Sequence, residues 1–126
     1  MQRKQVIFIA DSLDNARKFQ QVLAGFDAEV SAGSSMQLRN LLAAHPSCDL
    51  VVYEAQGDAI RALGQVEVTL TEEGVGAVLV IVSEPQLAEL RLPVQVKADF
   101  VVSSATPDEC AARVRQLLWP GNEASA

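Results

Sequence analysis

Short apolar segments of strand length alternate along the chain with segments whose apolar residues recur at helical spacing. Four apolar runs predict buried strands at residues 6–9, 49–53, 77–82 and 100–102, and a weaker, alternating run at 28–32 predicts a fifth. Runs that are apolar on both faces are typical of parallel strands covered by helices on both sides. The order of the segments therefore predicts an α/β domain with a doubly wound sheet.

Helices are predicted in the segments between these strands. Residues 13–24, 34–44 and 58–70 each carry apolar side chains three or four positions apart, which is the spacing of one helix face. Ser12 or Asp11 is expected to cap the first of these helices, because short polar side chains accept hydrogen bonds from free amides at a helix start.

The last predicted helix has the clearest start. Thr106 is in the N-cap position, Pro107 follows at the first helical position, and Glu109 completes a capping box. The segment before the fifth strand is less regular. Residues 85–91 fit a short helix that Pro93 must end, because a proline inside a helix costs ~3 kcal/mol.

Length and composition predict one globular domain at residues 1–119, followed by a tail or the start of a linker at residues 120–126. The chain has 126 residues, 49% of them hydrophobic, which suffices for a core without disulfide or metal cross-links. The first apolar run is too short for a signal peptide and no run is long enough to cross a membrane, so we expect a cytoplasmic protein. The net charge of −6 and the scattered basic residues argue against direct nucleic-acid binding by this chain.

Metal-binding patterns are not apparent in the sequence. Cys48, Cys110 and the single histidine, His45, are not in a zinc-like spacing, and we expect both thiols to be buried or half-buried. Ligands of doubly wound sheets bind beyond the carboxyl ends of the strands. The residues that follow the predicted strands are polar or small: Ala10, Asp11, Ser12, Glu54, Ala55, Ser83, Ser103 and Ser104.

These strand-end residues stand in an order that resembles the receiver domain of bacterial two-component response regulators, over residues 5–118. Residues 9–12 (Ile-Ala-Asp-Ser) stand where that family has an acidic pair, and residues 49–54 (Asp-Leu-Val-Val-Tyr-Glu) where it has a similar strand ending in the phosphoacceptor aspartate. Residues 81–83 match its fourth strand, and residues 98–109 the stretch that usually carries a Lys-Pro pair. The resemblance implies a flavodoxin-like (βα)5 three-layer sandwich with a five-stranded parallel sheet in the order 2-1-3-4-5.

The pocket positions depart from the family pattern. In the family, the acidic pair and the acceptor aspartate hold Mg²⁺, which neutralises the phosphoryl group during transfer. Here Ala10 replaces one acid, Glu54 the acceptor and Ser103 the lysine, whereas Asp11 and Ser83 keep the residue type. The additional methylene of Glu54 displaces its carboxylate by ~1.5 Å, and positioning is most of phosphoryl-transfer catalysis. The sequence therefore predicts a degenerate phosphorylation pocket with no catalytic residue and no cofactor, in which Mg²⁺ binds weakly or not at all, with Asp11 and Glu54 as its only candidate ligands.

Two further expectations concern the carboxylates of this pocket. Glu54 is expected to be a solvated side chain at a strand end, with permanent mimicry of a phosphorylated state as the alternative. Without a lysine, Asp11 and Glu54 would repel each other, which would raise one pKa unless a cation lies between them.

The favoured functional hypothesis is a pseudo-receiver that acts in signal transduction through a protein partner or a fused output domain, with a homodimer as one form. The resemblance implies a signalling face that includes Leu87, Leu90, Leu92, Val101, Ala112 and Arg113. Two alternatives remain open: a ligand- or cation-sensing module that uses the strand-end pocket, and the regulatory receiver of a transcription factor or other fused output domain. An enzyme is not predicted, because the sequence offers no nucleophile–base pair.

Overall fold

The computed structural model of the chain describes residues 4–46, 48–55 and 63–119. Its strands are β1 (Lys4–Ile9), β2 (Ala28–Gly33), β3 (Leu50–Glu54), β4 (Ala77–Val82) and β5 (Lys97–Val102). Its α-helices are α1 (Leu13–Ala24), α2 (Leu38–Ala44), α3 (Leu63–Glu72) and α4 (Pro107–Leu118). Short 3₁₀ segments at Ser35–Gln37 and Glu84–Glu89 follow β2 and β4.

The five strands form one sheet in the order β2-β1-β3-β4-β5. All neighbouring strands are parallel. This topology is the flavodoxin-like arrangement that the sequence predicted. Because the strands are parallel, all of their carboxyl ends lie at one edge of the sheet.

The two faces of the sheet bury separate halves of the core. Alternate residues of β1 illustrate the division, since Val6 and Phe8 pack with α1 and α4, whereas Ile7 and Ile9 pack with α2 and α3. Phe8 and Phe19 contact each other in the first half, with ring centroids 5.7 Å apart. Helices thus cover both faces, which is why β3 and β4 are buried along their whole length.

The starts of α1 and α4 are capped by residues that the sequence singled out. The hydroxyl of Ser12 accepts a hydrogen bond from the amide of Asn15 at the start of α1. The hydroxyl of Thr106 accepts one from the amide of Glu109 at the start of α4. Helix α3 ends before Gly74, whose φ of 70° lies in the left-handed region that glycine adopts without strain.

Several element boundaries differ from the sequence prediction, among them those of the second helix, of β5 and of the segment after β4. The second helix begins with a 3₁₀ turn rather than at residue 34, because Ser34 and Gln37 form a capping box that closes the tighter turn. Strand β5 begins at Lys97, three residues earlier than predicted, because main-chain pairing with β4 extends through polar positions that an apolar run does not reveal. The short helix expected at 85–91 is a 3₁₀ segment at Glu84–Glu89.

Some predicted features lie outside the described residues. These are the first part of the third helix, at 58–62, and the tail at 120–126. The last described residue, Trp119, stacks on Phe26 with ring centroids 6.0 Å apart. Both cysteines are buried, as the sequence predicted, and burial raises the pKa of the Cys48 and Cys110 thiols.

We expect truncation of leucine in the core to destabilise the domain strongly. Leu42 is fully buried, and Leu42→Ala should lower the free energy of unfolding by about 2–5 kcal/mol because it leaves a cavity between α2 and the sheet. Leu13 is 63% exposed, and the matched control Leu13→Ala should change it by no more than about 0.5 kcal/mol. Denaturant unfolding measures both values. Equal effects of the two substitutions would contradict this assignment of the core.

Candidate functional site

The carboxyl ends of the strands bring the predicted pocket residues to one edge of the sheet. Ala10 and Asp11 follow β1, Glu54 ends β3, Ser83 follows β4 and Ser103 follows β5. The amide of Ala10 donates to the carbonyl of Gly33, which ties the end of β1 to the end of β2. The edge therefore exists as the sequence predicted, and what the side chains can do there depends on their orientation.

Glu54 points into the protein and not toward solvent. Its place in β3 puts it on the same face of the sheet as Leu50 and Val52, which pack on the α1 side. Its exposed fraction is 5%. The expectation of a solvated carboxylate was therefore wrong, because α1 begins directly above the end of β3 and covers the side chain.

The N-terminus of α1 supplies four hydrogen-bond donors to the Glu54 carboxylate. Oε1 accepts from the backbone amides of Asp11 at 2.8 Å and Ser12 at 2.9 Å. Oε2 accepts from the Ser12 hydroxyl and from Asn15 Nδ2, both at 2.6 Å. The first amides of a helix have no partner within the helix and carry a partial positive charge, so a carboxylate is a favourable partner for them.

These contacts determine the ionisation of Glu54. Burial by itself would raise the pKa of this carboxyl, but the hydrogen bonds from the Ser12 and Asn15 side chains and from the amides of Asp11 and Ser12 outweigh it. The pKa of Glu54 is consequently lowered from its ordinary value. The expectation that repulsion between Asp11 and Glu54 raises one pKa does not hold for Glu54, because its donors favour the charged form.

The carboxylate of Asp11 has its hydrogen-bond partner on the segment after β2. Its Oδ1 accepts from the amide of Ser35 at 3.1 Å, and its Oδ2 accepts from the Ser35 hydroxyl at 3.0 Å. The two candidate metal ligands thus have different hydrogen-bond partners. Across residues 4–46, 48–55 and 63–119, no cluster of three or more His, Cys, Asp or Glu could hold a metal ion.

The two serines of the predicted pocket are engaged locally. The hydroxyl of Ser83 donates to Gln86 Oε1 at 2.9 Å, which closes the 3₁₀ turn after β4. The amide of Ser103 donates to the carbonyl of Val82 at 2.7 Å and keeps the ends of β4 and β5 together. Both side chains are half-buried.

Lys18, on α1, is a cation at this edge that the sequence analysis did not identify. Its ammonium group donates to the carbonyl oxygens of Ser103 and Ala105, the latter at 2.8 Å. The sequence also did not indicate Asn15, which is buried against Glu54 with 3% of its surface exposed. The available signal was spacing, because Ser12, Asn15 and Lys18 recur every three residues along one side of α1.

The residues of the predicted signalling face are not equally available. Leu87 is 40% exposed, and Leu90, Leu92 and Arg113 are half-buried. Val101 is 1% exposed and packs in the core beneath α4, so its side chain is not part of a surface. That position was predicted wrongly because β5 is covered by a helix on this side. Ala112 is exposed.

A hydroxyl–imidazole contact lies outside this edge. Ser31 Oγ on β2 is 3.0 Å from Nε2 of His45, at the end of α2. In the described part of the chain, no carboxylate is hydrogen-bonded to this histidine, so the contact lacks the third member of a catalytic triad.

No helix among the described residues is long and apolar enough to span a membrane.

Comparison with known proteins supports the fold. No family model matches the sequence, and no curated protein matches it. Among solved structures, a response regulator receiver protein from Burkholderia phymatum superposes with a TM-score of 0.65 at 18% identity, covering 92% of this chain and 95% of that one. The N-terminal domain of a response regulator/sensory box/GGDEF three-domain protein from Carboxydothermus hydrogenoformans superposes with a TM-score of 0.70 at 16% identity, covering 91% and 94%.

A third similar structure is the signal receiver domain of an HD domain-containing protein from Pseudomonas fluorescens Pf-5. It has a TM-score of 0.65 and 16% identity, and the match covers 99% of this chain and 100% of that one. At these identities the likeness concerns the fold, and the chain is a receiver-like domain in its architecture. Its chemistry has to be argued from its own residues.

The bonded state of Glu54 predicts a pH-dependent contribution to stability. Glu54→Gln retains the shape of the side chain but replaces a carboxylate that accepts four hydrogen bonds with a neutral amide. The substitution should lower the free energy of unfolding by about 1–3 kcal/mol at neutral pH. The folded pKa of Glu54 is lowered, so its contribution is complete above the unfolded value of about 4.3 and disappears as pH falls through the folded pKa. The difference between wild type and variant should therefore shrink below about pH 4.

Urea unfolding across this pH range measures the effect. Asp14→Asn is the matched control, because Asp14 is an exposed carboxylate in the same first turn of α1. A difference between wild type and Glu54→Gln that stays constant down to pH 2, or an equal loss in Asp14→Asn, would contradict the assigned role of the Glu54 carboxylate.

Proposed function

We propose that this receiver-like domain is a signalling module that acts through protein–protein contacts and is not switched by phosphorylation at position 54. The observation that carries the proposal is the burial of the Glu54 carboxylate, with both oxygens bonded to the N-terminus of α1. A phosphoacceptor must present an oxygen to the incoming phosphorus. Glu54 instead uses its oxygens to hold a helix in place.

The neighbouring positions support the same proposal. Ala10 has no carboxylate, and the carboxylate of Asp11 accepts two hydrogen bonds from Ser35. At position 103 there is a serine, and the nearest described cation, Lys18, donates to main-chain carbonyls. Phosphoryl transfer requires several charges that converge on the reacting group. On this chain the charged groups at the strand ends diverge, each toward a structural partner.

A permanent imitation of the phosphorylated state is less well supported. Such a mimic would place negative charge above the strand ends, where a phosphoryl group would project. The Glu54 carboxylate lies below the start of α1 and is 5% exposed. Its charge is compensated by the four donors, so little of it reaches the surface.

The proposed contact surface lies on the segment after β4 and the adjoining end of the domain. Leu87 is an exposed apolar side chain on the Glu84–Glu89 segment. Further along the chain, the carboxylate of Glu67 on α3 accepts from the amides of Val94 at 2.7 Å and Gln95 at 2.6 Å and so fixes the loop before β5, on which Val94 is an exposed apolar side chain. A fixed loop that presents an apolar side chain is suited to binding a protein, because little ordering entropy is lost on association.

Incubation with Mg²⁺ and acetyl phosphate tests the proposal directly. We expect the intact mass of the wild-type chain to remain unchanged, because no oxygen of Glu54 is available to the donor. The positive control is Ala10→Asp/Glu54→Asp/Ser103→Lys, which places the family's residue types at the three altered positions and should gain a labile phosphoryl group. A phosphoryl group on residue 54 of the wild type would contradict the proposal, and saturable thermal stabilisation by Mg²⁺ alone would favour the cation-sensing alternative.

The contact surface can be tested with paired surface variants of the chain as bait. We expect Leu87→Asp to lose a partner that wild type retains from the lysate of the source cells, because a charge replaces an apolar contact. Val68→Asp is the matched control, since Val68 is also apolar and exposed but lies on α3. Quantitative mass spectrometry of the captured proteins measures the difference. Partners that bind both variants equally would contradict this choice of face.

A further inference from the structure

Lys18 connects α1 to the loop that follows β5. Its ammonium group donates to the carbonyls of Ser103 and Ala105, which belong to the loop 103–105 directly after β5. The group is partly buried, and its charge opposes the rise in the pKa of Cys110 that burial produces. Lys18 therefore lies beneath this loop, against the start of α4.

Carbonyl oxygens are the described partners of Lys18. A lysine ammonium has three donors and commonly forms a salt bridge at a surface. Here it donates to two main-chain carbonyls that belong neither to a strand nor to a helix. A side chain that holds two carbonyls of one short loop fixes the position of that loop relative to the helix from which it projects.

Glu54 fixes the start of α1. Its carboxylate binds the backbone and side chains of residues Asp11, Ser12 and Asn15, one turn before Lys18. The intervening residues belong to a continuous helix of 12 residues, in which the main-chain hydrogen bonds hold the turns at a fixed spacing. The position of Glu54 is in this way transmitted to the base of the Lys18 side chain.

We propose that Glu54 and Lys18 form one polar connection through α1 that positions the loop 103–105, with Lys18 as the positioning residue. The connection extends one step further, since the hydroxyl of Ser104 donates to Glu84 Oε1 at 3.0 Å. Glu84 begins the segment that carries Leu87. The loop after β5 is thus held from α1 on one side and from the segment after β4 on the other.

This inference is independent of the proposed function except for that last link to Leu87. The coupling is between position 54 and the loop 103–105 and requires no phosphate, metal or partner. A result that excludes the connection would leave the phosphorylation assay unaffected, and a phosphorylated Glu54 would leave the Lys18 contacts to be measured separately.

Amide hydrogen exchange of the whole chain, followed by NMR, tests the contact of Lys18. The informative amides are those of Ser103 and Ala105, which donate to the carbonyls of Val82 and Val102. We expect Lys18→Met to accelerate their exchange by at least about threefold, because the loop opens more often without the ammonium. Arg17→Met, which removes the adjacent exposed cation, should leave both rates unchanged, and Lys18→Arg should restore most of the protection.

The connection itself is tested by Glu54→Gln and by its combination with Lys18→Met. We expect Glu54→Gln to accelerate exchange both in residues 12–15 and at residues 103 and 105, and to add no further acceleration there once Lys18 is methionine. Asp14→Asn should not affect the loop. Faster exchange confined to residues 12–15 in Glu54→Gln would overturn the connection, and unchanged rates in Lys18→Met would overturn the role of Lys18. If Lys18→Met does not fold, Lys18→Gln provides the same comparison.

Discussion

A buried carboxylate at the start of a helix is the contact on which the arrangement of this strand-end edge depends. The N-terminus of α1 exposes amides that have no partner inside the helix, and Glu54 reaches them from the end of β3 in the centre of the sheet. The helix stabilises the negative charge, and the charge in turn stabilises the start of the helix. Asn15 is buried beside the same carboxylate and donates to it. Removal of either partner would leave a buried polar group without a hydrogen bond.

This contact also decides which partners the Glu54 carboxylate has. The chain superposes on receiver structures over nearly its whole length, and its Glu54 carboxylate is hydrogen-bonded to the start of α1. The proposed function follows from that contact. A carboxylate whose oxygens are all bonded has little remaining capacity to coordinate a cation or to attack phosphorus, and Asp11, its only acidic neighbour at the end of β1, is bonded to Ser35. Under the proposed function, the domain offers other proteins a rigid scaffold with surfaces for contact.

Charged side chains of this chain also hold three of its loops in place. Two of these loops lie at the carboxyl-end edge of the sheet: the loop after β2, held by Asp11, and the loop after β5, held by Lys18. The third, held by Glu67, directly precedes β5 and so lies at the opposite edge. Each of these contacts joins a charged side chain to main-chain groups that strands and helices leave unpaired. Charged hydrogen bonds of this kind are stronger than neutral ones, so they can order loops without a bound ion.

The sequence by itself determined the class of fold and the order of its elements. Continuous apolar runs at 50–53 and 77–82 are typical of strands covered on both sides, and the Thr106-Pro107 pair marks the start of a helix from local chemistry alone. Both the apolar runs and the helix start depend only on residues that are close together in the sequence. The extent of β5 could not be predicted in the same way, because residues 97–99 are strand through pairing with β4 and not through their own apolar character.

Tertiary structure alone decided how the pocket residues are used. The sequence identified Ala10, Asp11, Glu54, Ser83 and Ser103 as one edge, but it could not give the direction in which Glu54 and Asp11 point. That direction depends on α1 lying above β3, a contact between residues about forty positions apart. Lys18 was missed for the same reason, because its acceptors lie on a loop that follows the last strand. Spacing along a chain reveals which side of an element a residue occupies, whereas its partner is set by the packing of that side against distant segments.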